Sequence, residues 1–237
     1  MSRLERYRAE VLQRIASACR RARRAPEEVR LIAVSKTRDL EEIRALHALG
    51  QQQFGENYVQ EFIAKCDRLS PEVLKTPIEW HFIGAIQGNK SRAVAERAQW
   101  VHSVDRLKIA ERLSLQRPDH LPPLQVCLQV DLSREPGKNG IPEARLWELA
   151  DAVAELPRLV LRGLMTLPAP SDDPAAQRLP FARLRELRDA LNAEGHALDT
   201  LSMGMSADLE AAILEGTTMV RVGTALFGPR RPQGRWE

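Results

Sequence analysis

The feature that most constrains this chain is an alternation. Eight times over, a short apolar run of strand type is followed by a segment of helical spacing or by a closing turn. The strand-type runs are 30–37, "QQQFGENY" (51–58), "IEWHFIGAI" (78–86), "WVHSVD" (100–105), "LQVCLQVDLS" (124–133), "LVLRGLMTL" (159–167), "TLSMGM" (200–205) and "TMVRVGTALFG" (218–228). The helical segment 39–49 is typical of the partners: Asp39 opens it, Leu40, Ile43, Leu46 and Leu49 recur at helical spacing, and Gly50 stops it. The other helices are expected over 59–69, the "NKSRAVAERA" and "RLKIAERLSLQ" stretches, 142–155, 174–193 and 206–215. Strict βα alternation imposes right-handed crossovers and a parallel sheet. Eight such units in this length predict an α/β fold, a single (β/α)8 barrel of TIM type, with an extra N-terminal helix ahead of it. An open doubly wound sheet fits less well, because "SKTRDL" after the first strand contains no glycine. No linker divides the chain, so 1–229 reads as one domain and 230–237 as a short basic tail.

Composition narrows the partners. The 35 basic and 32 acidic residues leave a net charge of only +3, which argues against nucleic acid as a partner. Cys19, Cys66 and Cys127 are odd in number and form no C-x-x-C pair, the pattern of a reducing compartment without a zinc site. No stretch reaches membrane-span length and the N-terminus lacks an apolar signal core, so a cytoplasmic protein is expected. The run "CRRARR" (19–24) reads as a solvated helix end whose arginines complement the helix dipole.

In a barrel the carboxyl ends of the strands converge on one mouth, where ligands bind. The residues the sequence brings there are Lys36, Asn57, His81, Met165, Ser202, Met203, Ser206, Arg221, Gly223 and Thr224. "SMGMS" (202–206) places a glycine and two hydroxyls before a helix, with Ser206 as its expected N-cap, and "RVGTALFG" (221–228) places Gly223 and Thr224 after the last strand. Barrels hold phosphate with the loops after strands seven and eight, which these are, although a Ser cap and a Gly bend also occur without any ligand. Lys36 taken alone is a snorkelling or salt-bridged side chain more often than a catalyst. Across one mouth from a phosphate cradle it acquires a use: a partly desolvated amine forms a Schiff base with an aldehyde, and a phosphorylated aldehyde held at two points is pyridoxal phosphate (PLP). Arg221 supplies a third point, at the ring nitrogen. A barrel in which Lys36 is only a counter-charge for some other phosphorylated metabolite stays open on this reading.

The stretches "LIAVSKT", "FGENYVQE", "WHFIGAIQGNK", "GLMTL", "LSMGMSADLEAAI" and "VRVGTALFG", in this order and over nearly the whole chain, resemble the pyridoxal phosphate homeostasis proteins. These are similar in fold to the barrel domain of bacterial alanine racemase and eukaryotic ornithine decarboxylase. The resemblance implies Lys36 as the Schiff-base lysine, Ser202, Ser206, Gly223 and Thr224 around the phosphate, Arg221 at the ring nitrogen, and Asn57 and Met203 lining the pocket. "EPGKNG" (135–140) also matches and puts Lys138 in the slot of a family lysine. The implied role is intracellular PLP storage, buffering or delivery, with PLP-dependent apo-enzymes as candidate recipients.

An arginine at the ring nitrogen weakens the ring as an electron sink, and racemisation needs a second acid/base opposite the lysine. In the racemase this base is a tyrosine from a C-terminal β-domain, whereas here only "PRRPQGRWE" follows the barrel and the tyrosines are Tyr7 and Tyr58. Tyr58 reads as a packing aromatic, Cys127 as inert core, and His81 as a pocket-lining or satisfied core residue. His47, His102, His120 and His196 are assigned to helices, loops or the opposite barrel end. A binding protein is therefore expected over the alternative, a weak PLP-dependent racemase or decarboxylase, and a monomer is expected without the second domain.

Overall fold

The computed structural model describes residues 1–70, 72–74, 76–133 and 139–229. Lys138 and the tail 230–237 lie outside the described residues. The described strands are β1 (Arg30–Val34), β2 (Gln53–Glu56), β3 (Glu79–Phe82), β4 (Trp100–Val104), β5 (Leu124–Gln129), β6 (Leu159–Met165), β7 (Thr200–Ser202) and β8 (Met219–Val222). They pair in chain order, all parallel, and β8 returns to β1 through the register Ala33↔Val222, so the sheet closes into a barrel. Helix α1 (Arg3–Ala22) precedes the barrel; α2 (Leu40–Ala48), α3 (Val59–Arg68), α4 (Ser91–Arg97), α5 (Leu107–Gln116), α6 (Leu146–Ala154), α7 (Pro174–Ala193), α8 (Leu209–Leu214) and α9 (Thr224–Phe227) follow their strands. The expected (β/α)8 barrel with its leading helix is what forms.

Local chemistry explains most boundaries. The Asp39 side chain accepts from the Glu42 N–H at 2.8 Å and starts α2 where the sequence places it. Asp173 caps α7 in the same way, with Pro174 at its first position. Two expectations shift. Helix α8 begins at Leu209, not at Ser206, because the Asp208 carboxylate reaches back to accept from the Met205 N–H at 2.6 Å and closes 205–208 as a turn. The last run is also not one strand: β8 stops at Val222, and Gly223 turns the chain into the short helix α9.

Alternation sorts side chains between two layers. Outward residues such as Leu31, Ala33, Phe54, Phe82, Leu201, Val220 and Val222 join the helices in the main apolar core. Phe62 of α3 packs on Trp80 and Phe82 at centroid distances of 6.0 and 5.5 Å, fastening α3 over β2 and β3. A smaller cluster of Ile32, Trp100, Cys127, Met165 and Met219 lies apart from it, on the alternate residues that face the barrel interior. Helix α1, started by a reciprocal Ser2–Glu5 capping box, packs on α8 and α9. Its last turn carries Arg20 and Arg21, and Arg24 donates to the carbonyl of Thr217 at 2.9 Å, so the arginine run ends this helix and ties it to the barrel. No helix among the described residues is long and apolar enough to cross a membrane.

Candidate functional site

Strand β1 gives way to a tight turn at Lys36. The Ser35 N–H still donates to the Gly55 carbonyl at 3.0 Å, and the Arg38 N–H then folds back onto the Ser35 carbonyl at 3.0 Å. Thr37 carries φ +62°, a left-handed conformation that is unfavourable for a β-branched residue and that places Lys36 just beyond the strand instead of within it. A buried charge cluster holds this shape. The Lys65 ammonium, reaching in from α3, donates to the Ser35 carbonyl at 2.7 Å, to Glu56 Oε1 at 2.8 Å and to Glu61 Oε2 at 3.1 Å. The Ser35 hydroxyl donates to the same Glu56 oxygen at 2.6 Å, and the Thr37 N–H donates to Glu61 Oε2 at 2.8 Å. Residues 35 and 37 are thus pinned on either side of Lys36. Burial pushes the Glu56 carboxyl up, against the opposing pull of the Lys65 ammonium. Arg38, also buried, donates to the carbonyls of Phe227 and Gly228 and lies 5.2 Å over the Phe227 ring, joining the Lys36 turn to the end of α9.

The loops after β7 and β8 meet beside that turn. Gly204 has φ +92°, and a Cβ there would stand 2.6 Å from the Ala212 Cβ, so only glycine fits. Its carbonyl accepts from the Arg221 N–H at 2.9 Å. The Ser206 hydroxyl accepts from the Ala225 N–H at 3.3 Å, and Arg14 of α1 donates to the Ser206 carbonyl at 2.9 Å while pairing with Glu210. The Ser206 turn and the first turn of α9 therefore form one surface. Gly223 lies against the Val34 carbonyl, 3.4 Å from where its Cβ would be, two residues before Lys36. Lysine, hydroxyl and glycine bend sit on adjoining strand ends.

Below them the barrel interior is polar. Arg221 is buried and donates to Ser202 Oγ at 2.7 Å and to the Thr166 carbonyl at 2.9 Å. Desolvation lowers its pKa to about 10, so it stays a cation at neutral pH. Ser202 Oγ is 2.7 Å from His102 Nδ1, His102 Nε2 is 2.8 Å from His81 Nδ1, and His81 Nε2 is 2.9 Å from Glu79 Oε1. His81 also stacks on Trp100, with ring centroids 5.8 Å apart. Burial holds both imidazoles below the usual histidine range, His102 well below, with the neighbouring His81 and Arg221 adding to the effect there.

The ten residues singled out in the sequence fall into three groups. Lys36, Asn57, Ser206, Gly223 and Thr224 keep some exposure at the mouth. His81, Met165, Ser202 and Arg221 are buried beneath it, and the Met203 side chain lies in the main apolar core with Leu201 and Val220, away from the small interior cluster that holds Met165. The Ser202 hydroxyl is engaged by Arg221 and His102. Asn57 follows β2, where Gly84 approaches so closely that a Cβ would stand 2.1 Å from the Asn57 carbonyl; its side-chain Oδ1 is buried with no hydrogen-bond partner among the described residues. Tyr58, expected to pack, is 52% exposed. Sequence reasoning missed Glu56, Glu61, Lys65 and Arg38, and it misplaced His102, which lies on β4 and bonds to Ser202 and His81 instead of standing on a helix, a loop or the opposite barrel end. The available signals were Glu61 and Lys65 at i,i+4 spacing and the parity of His102 with Trp100.

Comparison with known proteins agrees with this architecture. The family model described as "Alanine racemase, N-terminal domain" matches residues 11–231. The pyridoxal phosphate homeostasis protein of Pseudomonas aeruginosa is 56% identical over 230 residues, covering 97% of both chains. The protein of the same name from Escherichia coli K12 is 51% identical over 222 residues, covering 94% of each. Among solved structures, PipY of Synechococcus elongatus with PLP bound superposes with a TM-score of 0.80 at 37% identity, covering 92% of this chain and all of PipY. The mouth lysine, the two meeting loops and the buried arginine thus sit in a barrel whose family is shown: the chain belongs to the pyridoxal phosphate homeostasis proteins, within the alanine racemase N-terminal-domain family.

Proposed function

We propose that the protein binds PLP, with Lys36 holding it covalently, and that it stores, buffers or delivers the cofactor, with PLP-dependent apo-enzymes as recipients. The observation that carries this reading is the placement of Lys36, on a turn pinned at residues 35 and 37, beside the joined Ser206 and Gly223–Thr224 loops and above a buried arginine. The donor set fits the group. Asn57 Oδ1 is a buried acceptor without a partner among the described residues, the glycine at 204 keeps the cradle backbone close, and Arg221 offers a fixed cation. PLP supplies an aldehyde for a lysine amine and a phosphate for the cradle. Ser206, Gly223 and Thr224 would hold the phosphate end, Arg221 would face the ring nitrogen from below, and the Lys36 amine would hold the aldehyde end.

Binding is favoured over turnover because the histidines and the cysteine that face the barrel interior are sealed. His81 and His102 are buried with both ring nitrogens engaged, and burial pushes the Cys127 thiol up to about 12. The PLP-bound PipY relative supports the cofactor assignment. The test is the visible spectrum of the purified protein with PLP, then borohydride reduction and location of the labelled peptide by mass. Label on Lys36 is the expected result; a protein that stays colourless with added PLP overturns it. Exchange of the α-proton of added amino acids in deuterated buffer would move the reading from carrier to enzyme.

A further inference from the structure

The buried polar groups under the mouth form a chain whose hydrogen-bond direction can be worked out from both ends. Arginine has only donors, so at Ser202 Oγ the proton belongs to Arg221. The serine's own proton has one acceptor within reach among the described residues, His102 Nδ1 at 2.7 Å, and donating there keeps it from being left unpaired. A neutral imidazole accepting at Nδ1 carries its proton on Nε2, which donates to His81 Nδ1 at 2.8 Å. His81 is then also protonated on Nε2 and donates to Glu79 Oε1 at 2.9 Å. Starting from the other end gives the same answer, because an ionised carboxylate only accepts. The Glu79 carboxyl is held below its usual range chiefly by this hydrogen bond from His81. A reversed chain would set two lone pairs face to face at Glu79, and at Ser202, which can accept twice, it would leave the hydroxyl proton without an acceptor among the described residues.

We propose that His102 and His81 are positioning residues for Arg221: locked as Nε2–H tautomers on Glu79, they draw the Ser202 proton away so that Ser202 Oγ turns only a lone pair to the guanidinium. Its second acceptor, the Thr166 carbonyl, fixes the guanidinium plane from a different strand end. This rests on the reading that Arg221 faces the PLP ring. A hydroxyl free to rotate could point its proton at Arg221 and release one side of the cation. The two histidines remove that freedom, and Trp100, stacked on His81, keeps the rings in place.

Two measurements test it. In 15N-labelled wild-type protein, long-range proton–nitrogen correlation spectra read each ring directly, without any variant. Both His81 and His102 are expected as neutral Nε2–H tautomers from pH 6.5 to 8, and an Nδ1–H tautomer or an imidazolium at either position overturns the proposal. In PLP-loaded protein, His102→Asn keeps an acceptor close to where Nδ1 was, whereas His102→Leu removes it. The leucine variant should release PLP about tenfold faster, the size of one lost hydrogen bond to a charged group, with a displaced visible band, and the asparagine variant should stay close to wild type. A folded His102→Leu protein with the wild-type band and release rate overturns the proposal. Failure of borohydride to label Lys36 in the wild type would instead overturn the PLP reading beneath it, while leaving the tautomers measurable.

Discussion

Replacing Lys65 by methionine keeps most of the volume of a fully buried side chain and removes its charge. In the native protein the ammonium has three oxygen acceptors at 2.7, 2.8 and 3.1 Å, two of them carboxylates. Without it, Glu56 stays buried with the Ser35 hydroxyl donating to Oε1 and with Oε2 already lacking a partner among the described residues. Breaking one side of a buried ion pair leaves an uncompensated charge, and the expected loss is about 3–5 kcal/mol. Glu56→Gln in the Lys65→Met background removes that charge. The double variant should therefore recover at least about 1 kcal/mol relative to the sum of the single variants. The loss also has a pH signature. Burial raises the Glu56 carboxyl in the folded protein, and losing Lys65 removes its largest opposing charge, so folded Lys65→Met binds its proton more tightly than the unfolded chain does. Relative to wild type, which carries the same two histidines, this variant consequently gains stability as pH falls from neutrality toward the unfolded carboxyl range. Urea unfolding at pH 7.5 and pH 5.5 reads both effects, with unchanged slope as the check on the transition. A Lys65→Met protein within 1 kcal/mol of wild type, or additive single and double variants, would refute the view that this cluster holds the Lys36 turn.

Gly204→Ala should lose about 2–4 kcal/mol, since φ is +92° and the new Cβ would meet Ala212 at 2.6 Å, whereas Gly195→Ala, at φ +106° with nothing within 4 Å, should lose only about 1 kcal/mol. Thermal melts of the pair separate collision from backbone strain, and equal losses would show that the loop after β7 yields. The two sealed histidines make wild-type stability fall with acid. Their folded pKa values lie below the unfolded value of about 6.5, so the unfolded chain takes up the protons first. Their contribution is complete above that pH and is lost below it, with a slope of at most about 1.4 kcal/mol per pH unit for each group. His102→Asn should flatten the profile between pH 6.5 and 5.5; an unchanged slope would place the titration elsewhere.

How far the sequence alone leads depends on the distance over which a contact is decided. The barrel was legible because strand and helix periods are local, and α7 occupies 174–193 as its pattern indicates. The position of Lys36 at the mouth was legible for the same reason: it stands at the carboxyl end of the first apolar run, just before its loop. Thr37 was not, since nothing in "SKTRDL" announces a left-handed threonine; that shape is imposed by Glu61 and Lys65 from α3. On sequence those two form an ordinary i,i+4 ion pair of the kind that lines solvated helix faces. Ser206 looked like a cap because a serine stands before an apolar run, and only the side chain of Asp208, folding back on Met205, moves the helix start.

The interior chain shows where local reading stops. On sequence His81, Ser202 and Arg221 read as pocket residues, His81 also as a satisfied core group, and His102 is assigned to a helix, a loop or the opposite barrel end; the structure places all four inward, on β3, β4, β7 and β8. Their partners are chosen by barrel closure, which brings His102 to Ser202 across 100 residues of sequence. Once closed, four neutral or cationic groups and one carboxylate satisfy one another in a single direction, with no need for a metal or an ordered solvent bridge to explain their burial. That same closure removes both imidazoles from any substrate at the mouth. A group buried to orient Arg221 is thereby withdrawn from proton transfer at the opposite face of a bound ring, and this joins the structural role of the chain to the argument for a carrier.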